Sequence, residues 1–199
     1  MKKTRNWLFA LIASLGFLSG CATTPPASFY TLNPLAMTHE QVLDVALLVE
    51  RVTIPPTIDR PQMVRQHGAD QVVFDEFHRW AAPLRYEMTR VIAMNLATLL
   101  GTSRVGTYPE TTHLRGENNL YRVQVDATRI AATLGEAVLF DATWRVYPKD
   151  APVAKSGRTN ITIPTTDSSN NALAAAYSEA LLRVSHDISL AIRELQQNP

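Results

Sequence analysis

Two neighbouring stretches constrain the fold of this chain more than any other part of it. Tyr121, Val123, Val125 and Ala127 alternate with Arg122, Gln124 and Asp126; Val138, Phe140, Ala142, Trp144 and Val146 alternate with Asp141, Thr143 and Arg145. Side chains along a strand point to opposite faces with a period of two, so each stretch is a strand with one buried face and one facing water or a partner. Leu134-Gly135-Glu136 stands between them, where a hairpin turn belongs. A sheet with one apolar face needs a cover, and two helical stripes supply it.

Leu84, Met88, Val91, Ile92, Leu96 and Leu99 fall on one side of a helix from Pro83 to Leu100. Pro83 suits the first helical turn and Gly101 the C-terminal cap. Asn95 lies on the same stripe, so it is expected to bond a backbone group or sit at the stripe's margin. A second helix is expected from about Asp167 or Ser168 to Leu195. Its stripe is continuous: Leu173, Ala176, Tyr177, Ala180, Leu181, Val184, Ile188, Ala191, Ile192 and Leu195. Packing on the sheet accounts for it, with a lipid-binding helix as the other reading. Further strands are expected at Ser28–Leu32, at Val45–Val52 before Ile54-Pro55-Pro56, and at Val153–Ile163 with a bend at Gly157. Met63–Gln66 and Gln71–Phe74 form a hairpin around His67-Gly68-Ala69-Asp70. The sum is an α+β fold: a mostly antiparallel sheet with two helices on one face, a two-layer sandwich.

The N-terminus is built differently. Met1-Lys-Lys-Thr-Arg5 is cationic, Trp7 to Leu18 is apolar, and Leu18-Ser19-Gly20-Cys21 closes the segment. An apolar run of about a dozen residues falls short of the roughly 20 that span a bilayer, so this is a cleavable signal. The Leu-Ser-Gly-Cys pattern resembles the lipobox, in which the cysteine sulfur receives diacylglycerol and the new amine is acylated. Cys21 is therefore the expected lipidation site, with no other cofactor. Each buried methylene is worth about 0.8 kcal/mol, and two chains already give stable attachment. Ala22 stands where Asp resembles an inner-membrane retention signal, which favours the periplasmic face of the outer membrane. Residues 1–20 are the signal and residues 21–28 a short tether rich in proline and threonine. Residues 29–199 form a single α+β domain.

Of 19 basic and 18 acidic residues, the signal holds Lys2, Lys3 and Arg5 and no acid, leaving a net charge of −2. That balance offers no clustered basic surface, and no nucleic-acid partner is expected. Cys21 is the only cysteine, so no intramolecular disulfide can form. His39, His67, His78, His113 and His186 keep no metal-ligand spacing, and no Gly-x-Ser-x-Gly or Walker-type glycine loop occurs. Ser185-His186-Asp187 are neighbours, but on a helix adjacent residues point about 100° apart and cannot form a triad. The chain is expected not to be an enzyme and to hold no metal.

The densest unusual cluster is Glu76-Phe-His-Arg-Trp80, a loop entering the first helix. Trp80 can pack as a staple on the helix while Glu76, His78 and Arg79 are solvated. Alternatively the loop, with Arg60 from the turn Asp59-Arg60-Pro61-Gln62, forms a partner-binding edge, since Trp and Arg are enriched at hot spots. The candidate partner-binding residues are Arg60, Glu76, His78, Arg79 and Trp80.

Taken in order, the lipobox, Phe29-Tyr30-Thr31-Leu32, Ile58-Asp59-Arg60-Pro61-Gln62, Trp80-Ala81-Ala82-Pro83-Leu84 and the Ser185–Ile192 region resemble the PqiC family. Its members are also called ABC-type transport auxiliary lipoproteins, and the resemblance covers essentially the whole mature chain. Trp-Ala-x-Pro-Leu is the most specific element. Many relatives carry Glu where this chain has Ala82, so no role of that carboxylate carries over.

The resemblance implies a non-enzymatic component that accompanies MCE-domain proteins, which build periplasmic tunnels carrying lipid between the membranes and support envelope integrity. The implied partners are an MCE-domain tunnel and the outer membrane. A homo-oligomer would multiply weak contacts with a ring-shaped tunnel. The rival is a regulatory lipoprotein activating a cell-wall synthase, which needs a long disordered tether. A tether of residues 22–28 reaches roughly 23 Å at about 3.3 Å per residue, which argues against that rival.

Overall fold

The computed structural model describes residues 25–38, 42–109, 114, 116–149 and 155–197. Cys21, the signal segment, tether residues 21–24 and the start of the strand expected from Val153 lie outside these residues. In chain order the elements are β1 (Ser28–Tyr30), β2 (Ala46–Val49), β3 (Gln62–His67), β4 (Gln71–Trp80), α1 (Leu84–Leu100), β5 (Val105–Thr107), β6 (Leu120–Thr133), β7 (Ala137–Pro148), β8 (Lys155–Pro164) and α2 (Asn170–Gln197).

The long antiparallel hairpin β6–β7 turns at Gly135, whose φ of 72° needs no Cβ there. It is the spine of a five-stranded sheet in the order β5-β2-β6-β7-β8. Every apolar residue of the two alternating series is buried, from Val123 and Phe140 at 0% exposure to Trp144 at 7%. Both helices cover that face side by side, α1 over β5 and β2 and α2 over β7 and β8. The α+β architecture thus follows from which face each strand hides. The long ladders are antiparallel, whereas short β2 runs parallel to both β5 and β6. β1, β4 and β3 form a second, three-stranded sheet, with β1 parallel to β4.

Several expectations are corrected. The strand expected over Val45–Val52 narrows to β2, because past Glu50 the chain is held by isolated bonds such as Thr53 N to Val125 O. Helix α2 starts later than expected: Ser169 Oγ accepts the Ala172 N–H, and Asp167 Oδ1 accepts that of Ser169. The Ser169 hydroxyl, and then its N–H, hold the Asp167 carboxyl below the usual range. Gly157 does not bend β8, whose register with β7 is unbroken. A Cβ at 157 would lie 2.2 Å from Trp144 Cζ2, so the glycine makes room for the indole lying across it. Asp141, expected on the wet face, is buried at 6% exposure and accepts a hydrogen bond from Arg158 Nε at 2.8 Å. The Arg158 guanidinium holds its carboxyl below the usual range.

After β1 the segment Leu32–Ala36 crosses the helices as a strap. Glu87 Oε2 accepts the Leu32 N–H, Ser178 Oγ that of Asn33, and Asn95 Oδ1 those of Leu35 and Ala36. Arg90 donates to the Leu32 carbonyl and to Glu87. Asn95 therefore bonds backbone from within the apolar stripe. Glu87 and Ser178, buried as well, serve the same strap.

Candidate functional site

The Glu76–Trp80 cluster is not a loop. β4 runs through it to Trp80, because β1 pairs alongside in the register Ser28–His78, Phe29–Arg79 and Tyr30–Trp80. The misreading has a local cause: between Gln62–Arg79 and Met63–Asp75 the pairing with β3 slips, leaving Glu76, Phe77 and His78 without partners on β3. Asp75 closes this bulge by accepting the N–H groups of Phe77 and His78 while its other oxygen meets Arg65 at 3.0 Å.

Alternation along β4 separates the candidate residues. Trp80 is buried and meets Tyr177 of α2 edge-on, with ring centroids 5.3 Å apart at 71°. Burial raises the Tyr177 hydroxyl well above the usual phenol range, so that ring stays neutral. His78 lies on the same side, its Nδ1 sharing a 2.7 Å hydrogen bond with the Tyr30 hydroxyl. Arg79 faces the other way. Its Nε donates to the Glu76 carbonyl at 2.9 Å, and the Glu76 carboxylate also accepts from Gln62 at 3.2 Å. Arg60 joins neither pair; its guanidinium lies over the Phe74 ring, 3.8 Å from the centroid.

The two sequence-distant segments nonetheless meet. Trp80 N–H donates to the Pro61 carbonyl at 2.8 Å, and Ala81 N–H to that of Tyr30. This brings Asp59, Arg60 and Pro61 against Trp80 to Pro83 and Arg85 around a cleft of about 370 Å³. Arg85, on the first turn of α1, grips Asp59 with both Nε and a terminal nitrogen. Arg85 is thus neutralised in place. Among the described residues Arg60 has no carboxylate partner, so it is the cleft's available cation. Sequence reasoning missed Asp59 and Arg85 as a pair, since nothing in a spacing of 26 residues announces it.

Ser185-His186-Asp187 do not form a triad. Ser185 Oγ donates to the Leu181 carbonyl, and Asp187 accepts the Thr159 hydroxyl, which in turn accepts from Trp144 Nε1. Ser185 and Asp187 therefore serve separate packing tasks, and His186 is exposed. No group of potential metal ligands occurs among the described residues, and no helix there is long and apolar enough to cross a membrane.

Residues 30–189 match the family model described as the ABC-type transport auxiliary lipoprotein component. The chain belongs to that family. The matched stretch begins in β1, includes both walls of the cleft and ends in α2. A comparison with curated proteins gives no match. Among solved structures, a protein described only as uncharacterised superposes with a TM-score of 0.69 at 18% identity, covering 84% of this chain and 99% of that one. Protein XCC0632 from Xanthomonas campestris gives 0.68 at 16% identity, covering 86% and 98%. At these identities the likeness is one of fold. Family membership makes this auxiliary lipoprotein a component serving a transport system, in a family of membrane-anchored proteins.

Proposed function

We propose that this protein is lipidated on Cys21 and held at the periplasmic face of the outer membrane, where it docks the end of an MCE-type lipid-transport tunnel and supports envelope integrity without catalysis. The reading rests on one observation: two of the segments that carry the family resemblance, around Arg60 and around Trp80, line a single cleft. Segments that only stabilised the fold would not need to converge on an open surface. The cleft combines a half-buried arginine without a carboxylate partner, a rigid floor set by Trp80, and the exposed Pro61 and Pro83 at its rim. That combination suits an extended, acidic segment of a partner protein.

The short tether supports a fixed station at the membrane, and several tethered copies would turn weak single contacts into avid binding. The test is co-purification from detergent-solubilised envelopes. Wild-type protein is expected to bring down an MCE-domain protein, and Arg60→Glu to lose it while folding normally. Recovery of a cell-wall synthase instead, or equal recovery by both proteins, would overturn the proposal.

A further inference from the structure

Beyond the signal segment the chain has four phenylalanines, Phe29, Phe74, Phe77 and Phe140. Phe140 is fully buried; the other three are exposed at 65%, 40% and 39%, and all lie on the small sheet. Exposed apolar side chains scattered singly are ordinary, but three of one kind on two paired strands form a patch that asks for a contact. Register places Phe29 beside Arg79, and Phe77, two residues before Arg79, is exposed at 39%. Tyr30, His78 and Trp80 take the opposite side, toward the core. Phe29, Phe77 and Arg79 therefore share the outward face of β1–β4.

The chain's course says what that face meets. Because β1 runs parallel to β4, the tether arrives at Ser28 from the side where β4 begins, which is where exposed Val72 and Phe74 stand. Residues 22–28 span at most roughly 23 Å, so acyl chains on Cys21 would keep Phe29 within that reach of the headgroups. We propose that the outward face of β1–β4 rests on the phospholipid surface holding the Cys21 acyl chains. Phe29 and Phe77 sit at headgroup level, with Arg79, paired to Glu76 at 3.4 Å, at their edge. This rests on the acylation of Cys21 and adds an orientation to it: the protein lies on its small sheet, with the five-stranded sheet directed away.

The test uses the full acylated protein in phosphatidylethanolamine–phosphatidylglycerol vesicles. The Cys21 sulfur is blocked as a thioether, so Phe29→Cys, Phe77→Cys and Arg145→Cys each offer one thiol for a bimane label; Arg145 is exposed on β7. Labels at 29 and 77 are expected to shift to the blue and lose most of their intensity to spin-labelled phospholipid, while the label at 145 keeps its own. Equal quenching at all three positions overturns the proposed contact, as does a label at 29 or 77 shielded from both water and lipid. Flotation and intact mass separate the two readings. A protein that floats with acylated Cys21 but unquenched labels refutes only the contact; one that fails to float, or lacks acyl mass, refutes the anchor and the contact together.

Discussion

Phe140 and Phe77 are the same side chain in opposite circumstances. Phe140 stands mid-strand on β7, wholly enclosed between the sheet and α2, while Phe77 stands in the bulge of β4 with more than a third of its surface in water. The large sheet has one job per face: apolar residues inward under two helices, polar residues outward. The small sheet shares its strands between a core contact through Trp80 and an exposed aromatic face. Even β6 slips its register once, between Ala127 and Arg129, after the stretch that alternates cleanly. In β4 the slip falls where the exposed aromatic face begins.

Substitution should separate the two regions sharply. Phe140→Ala is expected to cost about 3–5 kcal/mol in urea unfolding, because the lost burial leaves a cavity the helices cannot collapse into. Trp80→Ala should fall in the same range of about 3–5 kcal/mol, since its ring belongs to the core although its strand belongs to the small sheet. A Trp80 variant of near wild-type stability would detach β4 from the common core. Gly157→Ala forces a methyl into the Trp144 ring and is expected to cost about 1–3 kcal/mol, with a change in tryptophan near-ultraviolet dichroism. Asn95→Ala leaves two strap N–H groups without their acceptor at a cost of about 1–3 kcal/mol, read as faster hydrogen exchange at Leu35 and Ala36.

The Asp141–Arg158 pair gives a test in pH. The Asp141 carboxyl titrates lower in the folded protein than in the unfolded chain. Its contribution is therefore present above the unfolded carboxylate value and lost as pH falls through the folded one. Arg158→Met should flatten the stability profile across that acidic window, with its full loss at neutral pH and convergence on wild type below the folded value. The smallest effect is expected from Phe77→Ala, within about 0.5 kcal/mol. A large loss there would mean that the exposed aromatic face is held by packing after all.

What the sequence makes legible follows the same division. The alternation of β6 and β7, the stripes of both helices and the backbone role of Asn95 are all visible, because a long element with one buried face repeats its period many times. β4 is opaque: Val72, Val73 and Phe74 run together, the bulge at Glu76–His78 shifts the phase, and its partner β1 is three residues long. No local signal says that such a stretch continues as a strand, since what sustains it is a parallel neighbour fifty positions away. Of the five candidate residues only Arg60 and Trp80 line the cleft; Glu76, His78 and Arg79 do not. The Asp59–Arg85 clasp and the convergence on Pro61 depend on tertiary contacts alone.

The strap over the helices bears on how this molecule takes a load. Tension applied at the N-terminus runs along β1, whose bonds to β4 lie across the direction of pull and share it together in shear. Whatever passes beyond Tyr30 is handed to four backbone amides clasped by Glu87, Ser178 and Asn95, and so to both helices at once. A tug on this end is thus spread through the body of the molecule, not spent in peeling away its first strand.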